Sequence, residues 1–307
     1  MMRISPVVKD YLMLHFVVLI WGFTAILGML ISIPTIEMVF YRTLLSAVGL
    51  ALVFWWKKTK LRLPKREMTK ILLTGAVISL HWLLFFGAAR VSNISVCLAG
   101  LATASFWTAF IEPMVNKTKV KWYEVFLGLM IIVGLVVIFS FELDYWLGLV
   151  MSVGSALLGA IFMVINSRLT KRGHPYIITF YEMIGACVFT AVVMLGYQVF
   201  SSDMDLQLMP TMMDWLWLLI LAGFCTVYAF SVSVELMKRL TAFAVNLTVN
   251  LEPVYGILLA VLIFGEKEKM TGGFYLGATI ILLSVCMYPL FNYLYKRRKA
   301  KQLLRVQ

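Results

Sequence analysis

Long apolar runs alternate with short polar gaps along the whole chain. Each run is close to the 20 residues that an α-helix needs to cross a hydrocarbon core of roughly 30 Å. Runs such as LLTGAVISLHWLLFFGAA do not alternate as the strands of a β-barrel would. The pattern predicts an all-α membrane protein with ten transmembrane helices: Leu12–Leu30, Ile36–Trp56, Ile71–Arg90, Ile94–Val115, Trp122–Phe141, Tyr145–Ser167, Tyr176–Tyr197, Met213–Met237, Thr241–Phe264 and Thr271–Leu290.

Composition supports this fold class. Hydrophobic residues make up 62% of the chain and charged residues only 14%, and the mean hydropathy is +0.92. These values lie far outside the range of soluble domains. The gaps are too short to hold a water-soluble domain.

Basic residues are concentrated in every second gap. Of the 27 Lys and Arg residues, 23 lie on the side of the N-terminus, three lie on the other side, and Arg42 lies within a span. Positive charge favours the cytoplasmic side of short loops. We therefore expect a multi-pass protein of the cell membrane, inner or plasma, with both termini in the cytoplasm. This bias accounts for the net charge of +12 without a nucleic-acid partner.

The spans divide into two sets of five, predicted at 1–143 and 144–292, with a basic cytoplasmic tail at 293–307. Because five is odd, a second copy of the unit must cross the membrane in the opposite direction. The string VFYRTLLSAVGLAL of the second span resembles TFYEMIGACVFTAV of the seventh, which places Arg42 opposite Glu182. A match between Gly128 and Gly277 gives an offset of 149 residues, which pairs Pro253 with Ala104. The matches predict two inverted five-helix repeats around a central cavity.

Several strings resemble the EamA-type branch of the drug/metabolite transporter superfamily. They are Trp21-Gly22, Tyr41-Arg42, and the run NLEPVYGILLAVLIFGEKE from 250 to 268 with Gly272, Gly273 and Gly277 after it. The first half departs from the pattern, since the fourth span lacks the central proline and has Asn116-Lys117 in place of Gly265-Glu266. The resemblance implies ten helices in two inverted repeats, and export of amino acids or other small metabolites.

Four ionisable residues fall within the predicted spans: Arg42, His81, Glu182 and Glu252. A charge at the bilayer centre costs roughly 2.5 to 3.5 kcal/mol on insertion scales, so such residues usually face a cavity or a partner. From their depths we expect Arg42 to pair with Glu252, and Glu182 to pair with His81. The alternatives are structural: ion pairs or snorkelling for Arg42 and Glu182, and one helix-to-helix hydrogen bond for His81.

Further candidate binding residues are aromatic or polar. Trp82, Trp107, Tyr228 and Tyr255 could line a site for apolar or cationic groups, although each could equally be ordinary packing. Successive helical rotations place Thr248, Glu252 and Tyr255 on one face of the ninth helix and Asn250 on roughly the opposite one. Glu112 is expected to be solvated near the cytoplasmic end of its helix.

The function that these features favour is secondary active transport of small metabolites such as amino acids, by alternating access around a midplane site. The expected direction is export. A midplane carboxylate permits proton coupling without requiring it. The alternatives are a facilitative channel or uniporter, a transporter of nucleotide-type or drug-like substrates, and, least supported, an intramembrane enzyme. The chain lacks a Walker motif and the HExxH and GxSxG motifs.

The remaining expectations concern cofactors and assembly. Four cysteines lie in four different spans without metal-ligand spacing, so we expect neither a metal site nor a cofactor. The pairs Ser155 with Gly159 and Gly273 with Gly277 are typical of close helix contacts. Those contacts could lie within the bundle or across a homodimer, and the sequence leaves both open.

Overall fold

The computed structural model describes residues 6–59, 61, 63–141, 143–171, 173–200, 206–249, 251–268 and 270–304. Within these ranges the chain forms ten helical spans that are long and apolar enough to cross a membrane, and no strand. The predicted fold class is confirmed. The spans are α1 (Pro6–Leu30), α2 (Thr35–Trp56), α3 (Lys65–Val91), α4a (Ile94–Leu101) with α4b (Ala104–Asn116), α5 (Trp122–Phe141), α6 (Trp146–Leu169), α7 (Pro175–Phe200), α8 (Met212–Leu236), α9a (Ala242–Val249) with α9b (Glu252–Phe264), and α10 (Gly272–Leu304).

Three helices extend well beyond the apolar runs that predicted them. The first begins at Pro6 instead of Leu12, the third begins at Lys65 instead of Ile71, and α10 continues to Leu304 instead of ending at Leu290. The predicted tail from 293 is therefore, as far as Leu304, the last turns of α10. Hydropathy marks only the part of a helix that lies in hydrocarbon, whereas Lys and Arg are good helix formers that continue a helix into water. Ten consecutive crossings put Pro6 and Leu304 on one side, which we call the terminal face, and the other side is the opposite face.

The fourth and ninth spans are both interrupted, at equivalent positions. Each span covers 23 residues, 94–116 and 242–264, and each breaks after its first eight residues. The structural offset is 148 residues, one less than the 149 suggested by the sequence. It pairs Pro253 with Ser105 instead of Ala104. The two interruptions lie side by side, because α4a packs on α9b and α4b packs on α9a.

The two interruptions have different chemical causes. In the ninth span Pro253 is the second residue of α9b and lacks the N–H that would bond the Val249 carbonyl in a continuous helix. The fourth span has no proline there. Instead, the N–H and the hydroxyl of Thr103 both donate to the Gly100 carbonyl, at 3.1 and 2.8 Å, which tightens the backbone into a three-residue turn.

Contacts between helices follow a twofold exchange of the two halves. Helix α2 packs on α7, α5 on α10, and α4 on α9; α3 packs on α6 and α7, just as α8 packs on α1 and α2. Replacing each helix by the one five positions away maps this set of contacts onto itself. Since each half has an odd number of spans, equivalent helices run in opposite directions. The architecture is therefore an inverted repeat.

Helices α5 and α10 approach each other most closely at two glycines. A Cβ added at Gly277 would overlap the carbonyl oxygen of Gly134, and one added at Gly134 would come 2.7 Å from the carbonyl oxygen of Gly277. About two turns further along, Ser284 Oγ donates to the Leu127 carbonyl at 2.7 Å. Small residues allow this approach, which gives van der Waals contact where lipid supplies no hydrophobic driving force.

We expect Gly277→Leu to destabilise the fold, because its side chain would have to push α5 away. Overpacking of this kind typically costs about 1 to 3 kcal/mol. The matched control is Gly196→Leu on α7, where an added Cβ meets nothing within 4 Å. Thermal unfolding of the purified protein in detergent should show a lower midpoint for Gly277→Leu only. Equal midpoints for the two variants would contradict this packing.

Candidate functional site

A cavity of about 70 Å³ lies where the two helix interruptions meet. Leu101 and Ala104 border it on the fourth span, and Val249 and Glu252 border it on the ninth. Non-helical backbone is tolerated at membrane depth only where it is buried in protein or lines a cavity. The remaining lining residues come from α1, α2, α3, α6 and α8: Trp21, Thr24, Arg42, His81, Trp82, Phe85, Gly159, Phe162, Met163 and Phe230.

Arg42 on α2 is the largest fully buried side chain, with 2% of its surface exposed. Its Nε donates to Thr226 Oγ1 at 2.9 Å, and its Cζ lies 3.7 Å from the centre of the Trp82 ring. Its Nη1 is buried and has no hydrogen-bond partner among the described residues. One edge of the guanidinium is thus fixed by protein, while another N–H group is available to a ligand.

A π-helical segment of α8, Leu221–Tyr228, supplies the groups that hold Arg42. The Thr226 hydroxyl accepts from Arg42 and donates to the Leu221 carbonyl, five residues back, at 3.0 Å. The wider turn also leaves carbonyls to other helices: Trp21 Nε1 donates to Cys225 at 3.1 Å, and Ser46 donates to Ala222 at 3.3 Å. Such π-turns are frequently found at functional sites.

Glu252 is the first residue of α9b and is 4% exposed. Its position at a helix N-terminus favours a negative charge. Glu252 and Arg42 line the same cavity but form no ion pair within 4.0 Å. Opposite charges that share a cavity without neutralising each other can bind a molecule that carries both signs.

His81 on α3 is held from α6. Its Nδ1 lies 2.8 Å from both the carbonyl oxygen and the hydroxyl of Ser155, and that hydroxyl donates to the His81 carbonyl at 2.9 Å. A carbonyl can only accept, so we assign the proton of the neutral ring to Nδ1, which leaves Nε2 as an acceptor. The ring packs between Phe85 and Phe162.

On the opposite face a buried carboxylate joins the two halves of the molecule. Asp214 at the start of α8 accepts hydrogen bonds from the N–H and hydroxyl of Ser32, at 2.6 and 2.7 Å. It also accepts from the N–H and hydroxyl of Thr211. Beside it, Tyr41 donates to the Leu208 carbonyl at 2.7 Å. These contacts close the bundle between the cavity and the opposite face.

The terminal face has different connections. Glu112 on α4b accepts from the backbone N–H groups of Ala242 and Phe243, at 3.3 and 2.8 Å, and so caps α9a instead of being solvated as expected. Asp10 accepts two hydrogen bonds from Arg239, at 2.7 and 2.8 Å, and these raise the pKa of the guanidinium. Arg239 is 48% exposed, so this ion pair contributes at most about 1 kcal/mol.

A family model for the EamA-like transporter family matches residues 9–140 and 146–288, which is most of the chain in two parts. The chain belongs to the EamA-like transporter family. A solved crystal structure, described only as that of a protein, is similar with 15% identity and a TM-score of 0.68, and the match covers 92% of this chain and 98% of that one. At that identity the likeness shows the fold alone. No curated protein matches the chain.

In this EamA-like transporter, four of the predicted binding residues line the central cavity: Arg42, His81, Trp82 and Glu252. They come from α2, α3 and α9b. Two of them are in direct contact, because the Arg42 guanidinium lies over the Trp82 ring. The structure does not show the expected pairing of His81 with Glu182, because His81 is engaged by Ser155.

The remaining predicted residues lie elsewhere. Glu182 is fully buried beside Asn166 and makes no hydrogen bond of good geometry within the part of the chain that the structure describes. Trp107 packs on Phe106, and Tyr228 stacks on Phe224. Tyr255 packs against Gly22.

The predicted polar face of the ninth helix is not continuous. Thr248 lies on α9a and borders a groove near the terminal face, while Glu252 lies on α9b and borders the cavity. The interruption between them invalidates a helical rotation counted across it. Asn250 lies outside the described residues.

Thr226, Phe162 and Phe230 were missed by sequence reasoning. Thr226 is one of many hydroxyl residues within apolar spans, and it meets Arg42 across 184 positions. The phenylalanines have no distinguishing pattern in a chain with 21 of them. Trp21 was quoted only as part of the family resemblance, although it also lines the cavity.

We expect Thr226→Val to destabilise the protein, because the buried Arg42 Nε would lose its acceptor. An unsatisfied buried donor costs about 1 to 3 kcal/mol, and more when it is charged. Thr226→Ser keeps the hydroxyl and is the matched control. Thermal midpoints should fall for valine and recover for serine. An equal fall for both variants would show that packing, and not the hydroxyl, is responsible, and no fall for either would show that Arg42 is held by other groups.

We expect Glu182→Gln to stabilise the protein, because it removes a buried carboxylate and gives Asn166 an amide partner. The desolvation of an unpaired carboxylate is one of the largest costs that a protein interior can carry. Glu235→Gln changes a half-buried carboxylate near the end of α8 and is the control. It should change the free energy of unfolding by no more than about 0.5 kcal/mol and leave the thermal midpoint close to that of wild type. A lower midpoint for Glu182→Gln would mean that the carboxylate has a partner it depends on.

Proposed function

We propose that this membrane transporter exports amino acids or similar small zwitterionic metabolites by alternating access, with both termini in the cytoplasm. The single observation that carries the proposal is the pair of separated opposite charges, Arg42 and Glu252, in a midplane cavity bordered by two interrupted helices. Interrupted helices at the repeat interface are where secondary transporters commonly hold their substrates.

The arrangement of the cavity suggests how such a substrate is bound. Its carboxylate would accept from Arg42 Nη1, the N–H group that the protein leaves without a partner. Its ammonium group would approach Glu252. The aromatic walls at Trp21, Trp82 and Phe162 would then contact an apolar side chain.

The size of the cavity supports movement between states. A space of about 70 Å³ holds a few water molecules, whereas small-molecule sites usually have roughly 300 Å³ or more. The structure therefore corresponds to an occluded or collapsed site. Contacts between the halves exist at both faces, through Asp214 with Ser32 and through Glu112 with α9a. We propose that rocking of the halves breaks one set while the other holds.

The proposed orientation follows from charge. The terminal face carries most of the basic residues, as expected for the cytoplasmic side. A cleft of about 670 Å³ on that face, between α3, α4b and α6, is bordered by Arg168 and Lys171 and by the ion pair of Lys70 with Glu67. The net positive charge of Arg168 and Lys171 would attract molecules with a carboxylate from the cytoplasm, which favours export over uptake.

Counterflow in proteoliposomes tests the proposal. Vesicles loaded with an unlabelled amino-acid mixture should take up labelled amino acids saturably and transiently above equilibrium, and Arg42→Gln should weaken zwitterion transport about 10- to 100-fold, the loss expected for one charged hydrogen bond. Uptake of the corresponding amines, which lack the carboxylate, should be impaired in Glu252→Gln but not in Arg42→Gln.

Two results would contradict this assignment. Flux that rises linearly with concentration and shows no counterflow would indicate a channel. Equal loss of amine and zwitterion transport in both variants would show that Arg42 does not bind the substrate carboxylate specifically and that Glu252 does not bind its ammonium group specifically. Glu235→Gln serves as a control for a carboxylate outside the cavity. Comparing transport with and without a proton gradient shows whether it is coupled to protons.

A further inference from the structure

A second space, a lateral groove of about 610 Å³, opens between α1 and α10 near the terminal face, with α9a as its floor. Its rim is open, since Val7 and Tyr293 are 60% and 61% exposed. Its floor is formed by Leu247, Thr248 and Leu251. The groove is separate from the central cavity and shares no residue with it.

The depth of the groove matches one leaflet of a bilayer. Along α10 it runs from Lys296 to Cys286 and along α1 from Val7 to His15. At a rise of 1.5 Å per residue these stretches cover about 15 Å and about 12 Å. Half of a hydrocarbon core is also about 15 Å. The groove therefore extends from the level of the lipid headgroups toward the midplane.

The groove is lined by both polar and apolar side chains. Lys296, Asn292 and Tyr293 lie at its outer end, while on α1 His15 lies at the inner end. Between them the floor has the apolar Leu247 and Leu251 beside Thr248. Polar groups that face hydrocarbon are costly, so a groove with a polar outer end and a largely apolar floor fits an occupant with a polar head and an apolar tail better than it fits acyl chains alone.

Charge indicates which headgroup fits. Helix α10 stays helical beyond the apolar run and places Lys296 at the mouth of the groove, followed by the exposed Arg297 and Arg298. Because the chain is still helical here, the position of Lys296 beside the groove is set by the helix. Basic residues at a membrane surface attract anionic lipids by about 1 kcal/mol each.

We propose that this groove binds one anionic phospholipid from the leaflet at the terminal face. The phosphate and headgroup lie among Lys296, Tyr293 and Asn292, and an acyl chain runs inward over Leu247 and Leu251. The proposal needs the membrane-spanning fold but not the substrate or direction of transport. Its failure and that of the proposed function are therefore distinguishable.

Native mass spectrometry of the full-length protein, titrated in detergent with phosphatidylglycerol or phosphatidylcholine, tests the proposal. We expect one saturable phosphatidylglycerol molecule, bound more tightly than phosphatidylcholine. Lys296→Gln should weaken it about fivefold. Lys57→Gln removes an exposed charge at the terminal-face end of α2, a helix that packs on α3, α7 and α8, and should leave the affinity unchanged.

A second variant separates the groove from surface charge. Cys286→Trp places a large side chain in the groove at an exposed position of α10, where the fold has room for it. It should abolish the saturable site for both lipids. Equal weakening by Lys296→Gln and Lys57→Gln would overturn the proposal in favour of diffuse charge. Equal affinity for the two lipids, or no saturable binding, would overturn it as well.

Discussion

The structure depends on the requirement that backbone polar groups in hydrocarbon find partners within the protein. Eight spans meet this requirement by running as continuous helices, whereas the helices of the fourth and ninth spans are interrupted near the middle of the membrane. Those two breaks must be surrounded by protein or line a cavity, and here they meet at the same small cavity. The inverted repeat explains why there are two breaks and why they face each other: equivalent positions in the two halves converge on the twofold axis.

A buried guanidinium imposes the second constraint. Arg42 is costly at this depth, and three features compensate: the Trp82 ring beneath it, the hydroxyl of Thr226, and the π-turn that positions that hydroxyl. A cation over a desolvated aromatic ring is worth about 2 kcal/mol. The compensation is incomplete, since Nη1 has no partner among the described residues. In the function proposed above, a substrate carboxylate would meet that residual demand for an acceptor.

The sequence predicted the ten spans well because hydrocarbon thickness fixes their length, and it identified Arg42 and Glu252 because a buried charge is expensive. The same cost argument selected Glu182, which lies away from the cavity, since cost alone does not say where a side chain points. The interruption of α4 was not predictable from proline, because a threonine hydroxyl produces it. Thr226 was out of reach, because its role depends on a contact between distant helices. The extension of α10 to Leu304 was missed because hydropathy detects only the apolar part of a helix and not its continuation into water.

We propose that Arg42 and Glu252 hold the two ends of one zwitterion between the two helix interruptions. A structure determined with a bound amino acid tests this arrangement most directly. We expect the ligand carboxylate within about 3 Å of Arg42 Nη1 and its ammonium within about 3 Å of the Glu252 carboxylate, in a cavity larger than the present one. A ligand bound elsewhere, or Arg42 and Glu252 joined in a direct ion pair beside it, would contradict this proposal.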